Sequence, residues 1–192
     1  MKKFILAVLL TAIFSSPACY AGTPAVEQGR KIFVKYCVKC HGEDGSGSEY
    51  GRYLKTNPVR DLRTNRLFLS DSELFIVINH GASWREMPNW EYVLSEEETE
   101  HVAWYLRTLK FTPDPKEGER IFKDKCALCH APDGAAKKIW KAPDLDSSAL
   151  GPFEMARLIR YGIHGTLMYP REVLHTNAEI ANVVDYIQRI KK

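Results

Sequence analysis

The chain has 192 residues, of which 45% are hydrophobic and 27% are charged, a composition typical of globular proteins that argues against a disordered or fibrous chain. Its formal net charge of +3 falls to +1 without Lys2 and Lys3, since 25 basic residues then face 24 acidic ones. The sequence contains no basic stripe, so we expect no nucleic-acid partner.

The N-terminal segment has the pattern of an export signal. A lysine pair precedes an apolar run from Phe4 to Phe14, and small residues lead to a cleavage site after Ala21. The run is too short for a comfortable membrane span. We therefore predict that residues 1–21 are a cleaved signal peptide and that the mature protein is periplasmic. The residues before Cys19 fit lipoprotein processing poorly, so we expect no lipid anchor there.

The first half of the mature chain is predicted to contain three main helices. The first runs from Pro24 to about Tyr36, because Thr23 is a suitable N-cap and proline is favoured at the first helical position. A capping box at residues 70–73 starts the second helix, and Gly81 ends it. Another capping box, at residues 95–98, starts the third helix.

A C-x-x-C-H motif follows the first helix and occurs again later in the chain. The two copies are Cys37, Cys40 and His41, and Cys126, Cys129 and His130. This motif is the attachment signature of a c-type haem. The thiols add across the two vinyl groups, and the adjacent histidine binds the iron. The alternatives are a structural zinc, which needs four gathered ligands, and a redox dithiol. Either would leave each following histidine unexplained, so we predict two covalently bound haem c groups.

The pattern around the motif is also repeated. A helix-breaking segment from Lys110 to Pro115 separates residues 22–111 from residues 112–192, and the second part repeats the order of helices. Gly29 and Gly118 each precede their first motif cysteine by eight residues. Glycine is unfavourable inside a helix, so we expect another helix to approach closely at each. The sequence therefore predicts an all-α protein of two tandem domains, each small enough that a porphyrin would help complete its core.

Each iron needs a second axial ligand opposite its histidine. Met87 and Met168 occupy equivalent positions, each six residues beyond the glycine that ends the middle helix. Met155 lies on an amphipathic helix and is expected in the core. We predict Met87 and Met168 as the ligands, which would raise the reduction potential relative to two histidines. The other candidates are His80, His101, His164 and His175, of which His164 stays open as the alternative ligand of the second haem.

Each half resembles a class I cytochrome c, and the whole mature chain resembles the two-domain dihaem cytochromes of the c-four type. The matched residues outside the haem motif are Gly29, Phe33 and Tyr105 in the first half, and Gly118, Phe122 and Tyr186 in the second. The resemblance implies that the first and last helices of each domain cross at these residues.

The resemblance also implies a hydrogen bond from each proximal histidine to a proline carbonyl, which would fix the imidazole tautomer. Pro143 matches the family position in the second half, and Pro58 is a looser counterpart in the first. The second half departs from the family at its ligand loop, where Tyr169 separates Met168 from the usual following proline.

Two haems with both axial positions filled leave no open site for a substrate. The sequence therefore predicts no catalytic residue and an electron carrier that passes single electrons between redox partner proteins. One alternative is the dihaem subunit of a larger periplasmic dehydrogenase, such as a flavocytochrome c. Another is a haem enzyme with one open haem site. Peripheral association with a membrane redox complex is compatible with the carrier interpretation.

Overall fold

A computed structural model of the chain describes residues 23–54, 59–83, 86–172 and 175–191. The predicted signal peptide, Cys19 and Pro58 lie outside the described residues. The described ranges form helices and loops, with no strand apart from one isolated bridge between Ala82 and Met87. Nowhere in these ranges is a helix both long and apolar enough to cross a bilayer.

The three long helices follow one another in the same order in each half, and the first half has an additional 3-10 turn and short helix. The first half contains α1 (Pro24–Tyr36), α2 (Val38–His41), α3 (Glu49–Arg52), a 3-10 turn (Leu62–Thr64), α4 (Asn65–Phe68), α5 (Asp71–His80) and α6 (Glu96–Thr108). The second half contains α7 (Pro115–Lys125), α8 (Ala127–His130), α9 (Lys137–Trp140), α10 (Pro152–Tyr161) and α11 (Asn177–Ile190).

Local hydrogen bonds explain where the long helices begin. Thr23 accepts a hydrogen bond from the backbone N–H of Val26 at 3.3 Å, and Pro24 follows it, so the predicted start of α1 is confirmed. Both predicted capping boxes of the first half are formed, at Ser70 and at Ser95. In the second half, Thr176 starts α11 with a box of the same kind.

The first and last helices of each half cross at a glycine, as predicted. A Cβ added to Gly29 would lie 1.9 Å from the carbonyl oxygen of His101, and one added to Gly118 would lie 2.2 Å from that of Asn182. Aromatic pairs lie beside both crossings, with ring centroids 5.2 Å apart for Phe33 and Tyr105 and 5.3 Å apart for Phe122 and Tyr186. These contacts agree with the resemblance to class I cytochromes c.

Substituting Gly29 by alanine is therefore expected to destabilise the first domain by about 1–3 kcal/mol, the usual cost of overpacking. The obstacle is a backbone oxygen, which cannot move without shifting α6. The midpoint of urea unfolding would measure the loss. Gln28→Ala is the matched control, because Gln28 is an exposed neighbour on the same helix and should change stability by less than about 0.5 kcal/mol. Equal midpoints for the two variants would contradict the tight crossing.

Two hydrophobic clusters form the cores of the two halves. One contains Ile32, Phe33, Leu74, Ile78, Leu94, Val102, Ala103 and Leu106. The other contains Ile121, Phe122, Met155, Ala156, Ile180, Val183, Val184 and Ile187, joined by Phe68 from α4. The core position predicted for Met155 is confirmed, because only 3% of its surface is exposed.

The two halves pack together through α4 and α10. Phe68, at the end of α4, is 1% exposed although it belongs to the first half. Beside it, Nη1 of Arg157 on α10 donates to Oε1 of Glu73 on α5 at 2.8 Å. A backbone hydrogen bond from Ser70, followed by this bond from Arg157, lowers the pKa of Glu73 to about 2. The domain boundary between residues 111 and 112 stays a prediction, but the packing shows that the two halves share contacts.

Candidate haem sites

The end of α1 brings the first motif into one tight turn. The backbone N–H of Cys37 donates to the carbonyl of Phe33 at 2.8 Å, and the N–H groups of Cys40 and His41 donate back to the carbonyl of Cys37 at 3.1 and 2.9 Å. The second motif has the same turn, in which Cys129 and His130 bond to Cys126 at 3.1 and 2.9 Å. This local geometry keeps each thiol pair beside its imidazole.

A cavity of about 190 Å³ lies against the first motif. Cys37, Cys40 and His41 line it together with Met87, and apolar side chains of α5 and α6 form part of the remaining wall. Met87 is held by a pair of backbone hydrogen bonds with Ala82, at 3.0 and 3.2 Å. The structure therefore brings the predicted ligands of the first haem together around one apolar cavity.

A cavity of about 260 Å³ lies against the second motif. Cys126, Cys129, His130 and Met168 all line it. The ligand loop keeps one backbone hydrogen bond of the first, since the N–H of Ile163 donates to the carbonyl of Met168 at 2.8 Å. The backbone N–H of Met168 instead donates to the hydroxyl of Thr166 at 3.1 Å. Tyr169, the extra residue before the proline, is exposed. The insertion thus lies at the surface and leaves Met168 in the cavity wall.

Burial sets the chemistry of the motif side chains. It lowers the pKa of His41 to about 4, so the imidazole is neutral, as an axial ligand must be. It raises the pKa of the Cys37 thiol to about 12 and that of Cys126 to about 11. Such thiols are protonated at neutral pH and are poor redox nucleophiles. Within the described ranges, no three Cys, His, Asp or Glu side chains are placed so that they could hold a metal ion together.

The proximal histidines differ in their hydrogen-bond partners. Nδ1 of His130 lies 3.2 Å from the carbonyl oxygen of Pro143, as the resemblance implies. Nδ1 of His41 is buried and has no partner among the described residues, and Pro58, its looser counterpart, is not one of them. These imidazoles, thiols and apolar walls fit covalently attached haem.

Three further residues lie at the cavities, and the sequence had offered only one of them, His175, as a possible iron ligand. His175 lines the second cavity, and both of its ring nitrogens are buried without a hydrogen bond from the described residues. His164, the alternative ligand suggested by the sequence, is exposed and is not among the residues that line this cavity. Arg160 and Asn177, from the second half, line the first cavity. Local sequence patterns carry no signal for such contacts, because they depend on how the two halves pack.

The chain is similar to a known protein family and to several known proteins. A family model described as cytochrome c oxidase, cbb3-type, subunit III matches residues 24–106 and 113–187. Among curated proteins, the subunit FixP of the cbb3-type cytochrome c oxidase of Sinorhizobium medicae is 26% identical over 133 residues, covering 63% of this chain and 44% of that protein. The subunit CcoP of the same type of oxidase in Rubrivivax gelatinosus is 29% identical over 134 residues, covering 67% of this chain and 42% of that protein.

The chain therefore spans less than half the length of these two relatives. Among solved structures, a chain of the reducing HAO-like protein complex of Kuenenia stuttgartiensis matches with a TM-score of 0.40 and 19% identity. The match covers 86% of this chain and 96% of that chain.

Proposed function

The chain belongs to the family of cytochrome c oxidase, cbb3-type, subunit III, and from this premise we propose that it carries single electrons between periplasmic redox proteins through two His/Met-ligated haems. It is a dihaem electron-transfer cytochrome c of two tandem helical domains. The periplasmic location rests on the signal peptide predicted at residues 1–21, and the identity of donor and acceptor belongs to the proposal as well.

One observation carries the proposal: each C-x-x-C-H motif shares an apolar cavity with the methionine predicted for its iron. Haem supplies reversible one-electron chemistry at its iron when it is bound. The cysteines would anchor it, the imidazole and the thioether would bind its iron, and the apolar walls would exclude water. Such ligation would leave the chain no place to bind a substrate at the metal, which favours a carrier over a haem enzyme.

The relatives favour one kind of larger assembly. Both are named as subunits of cbb3-type cytochrome c oxidases. We therefore propose, as the second candidate, that this chain delivers electrons within or to an oxidase complex at the membrane. Because both of these relatives are oxidase subunits, an oxidase is a stronger candidate for a larger partner than a flavin-containing dehydrogenase. Co-purification of a copper- and haem-containing oxidase with the native protein would support this role, whereas a free monomer that exchanges electrons with small cytochromes would favour the simple carrier.

The ligation can be tested on the purified holoprotein. A pyridine haemochrome assay should count two haems per chain, and the oxidised spectrum should show the far-red band of Met-ligated ferric haem at an intensity that accounts for both. A redox titration should resolve two one-electron couples. A high-spin haem, or carbon monoxide binding without loss of a methionine ligand, would contradict the carrier and support a haem enzyme.

A further inference from the structure

An arginine of the second half lies in the wall of the first cavity. Arg160, on α10, is 0% exposed and lines the same cavity as Cys37, His41 and Met87. The second half therefore completes the site that the first motif begins. This contact is separate from the predicted iron ligands, which all come from the motif and the methionine loop of their own half.

The guanidinium group of Arg160 is only partly paired. Its Nε donates to Oε2 of Glu172 at 3.2 Å, and its central carbon lies 5.1 Å from the ring centroids of both Phe68 and Tyr161. Nη1 and Nη2 are buried and have no hydrogen-bond partner among the described residues. Leaving such donors unpaired inside a protein is costly, so we expect Nη1 and Nη2 to find a hydrogen-bond acceptor in the cavity.

The charges around Arg160 favour an anionic acceptor. Arg60, which also lines the cavity, lies 3.4 Å from the same Glu172 carboxylate. Two arginines therefore share one glutamate, and Asp61 and Glu86 are the acidic residues among those that line the cavity. The nearby carboxylate of Asp61 is bound by Arg63 at 2.6 Å. The flat guanidinium fork presents its donors in the geometry that binds a carboxylate in a bidentate manner, and each haem carries two propionate carboxylates.

We propose that Nη1 and Nη2 of Arg160 donate hydrogen bonds to a propionate of the first haem, so that the second domain holds and tunes the haem of the first. This proposal rests on the proposed function, in which the first cavity contains a haem. The positive charge of Arg160 offsets the negative charge of the propionate. It therefore favours ferrous iron, which carries one positive charge less than ferric iron. Separation of the domains would remove this charge, so the potential of the first haem would report on domain contact.

The test compares variants of the full-length holoprotein by redox titration. Arg160→Gln should make reduction of the first haem about tenfold less favourable, which is about 59 mV for a one-electron couple, and should leave the second haem unchanged. Arg160→Lys should lose only part of this difference, because it keeps the charge and loses the fork. Glu172→Gln should shift the first potential in the opposite direction. Each variant is repeated with Met168→His, which assigns the couples by moving the second one.

Arg157→Gln is the matched control. Arg157 lies on the same helix and also bonds across the halves, to Glu73 at 2.8 Å, but it is not among the residues that line the first cavity. It should leave both potentials unchanged. Resonance Raman spectra give a second measurement, since the propionate bending band should shift in Arg160→Gln and not in Arg157→Gln. If the glutamine variant fails to retain haem, the potential of the first haem and the propionate band are measured in Arg160→Lys instead.

Three results would overturn the proposal. They are equal potentials for Arg160→Gln and Arg157→Gln, a shift confined to the second haem, and a propionate band that no Arg160 variant changes. Failure of the proposed function would look different, because the unsubstituted protein would then lack a Met-ligated first haem before any arginine is changed.

Discussion

Replacing Met168 by histidine is expected to lower the reduction potential of the second haem by roughly 0.2 V, a fraction of the ~0.8 V range that axial ligands cover. The thioether of methionine favours ferrous iron, whereas a second imidazole stabilises ferric iron. Met168 lines the second cavity and lies in the loop that follows α10. A spectroelectrochemical titration would show one couple moving while haem attachment and the first couple stay unchanged.

Met155→Leu is the control for this experiment. Met155 lines the same cavity but is packed in the core of the second half, so a substitution of similar volume should leave the potential nearly unchanged. If Met168→His left the second couple where it was, Met168 would not be the ligand. His175, which lines the same cavity with two unbonded ring nitrogens, would then be the next side chain to substitute.

Substituting both Cys126 and Cys129 by serine is expected to unfold most of the second domain. Without thioether attachment, the apolar cavity of about 260 Å³ loses the group that fills it. At about 24 cal/mol per Å³ of cavity, the upper bound of the cost is about 6 kcal/mol, because the cavity is partly open to solvent. That is comparable to the whole stability of a small domain, about 5–15 kcal/mol.

Circular dichroism and limited proteolysis would measure this loss, with one haem remaining per chain. The same pair of substitutions at Cys37 and Cys40 is the comparison. The first cavity is smaller, about 190 Å³, so the upper bound of the cost there is about 5 kcal/mol by the same relation. Unchanged helical content and unchanged protease resistance in the second domain would contradict this dependence on haem.

Much of the helical framework could be predicted because its signals are local. Ser70 and Ser95 predict the starts of two helices, because the hydrogen bonds of a capping box join residues only three positions apart. Gly29 predicted a helix crossing, because glycine is unfavourable inside a helix unless another helix approaches closely there. The repeat then paired each motif with a methionine, and in the structure each motif lines a cavity of its own together with that methionine.

The contacts between the halves could not be predicted in the same way. An arginine such as Arg160 in the last turn of a helix is ordinarily explained by the helix dipole, and only the packing of α10 against α4 shows that it is buried. His175 occupies the position that corresponds to Leu94 in the first half, so the repeat itself gave no reason to expect a histidine in the cavity wall.

Phe68 limits how freely the two halves could be exchanged with those of other proteins. Its ring is covalently part of the first half, yet it lies in the hydrophobic cluster of the second. A hybrid joined at residue 111 would need a foreign second half with a hollow of matching shape, or it would expose an aromatic ring to water. Recombination between related genes should therefore preserve the two halves as one inherited unit, although the sequence reads as two interchangeable copies.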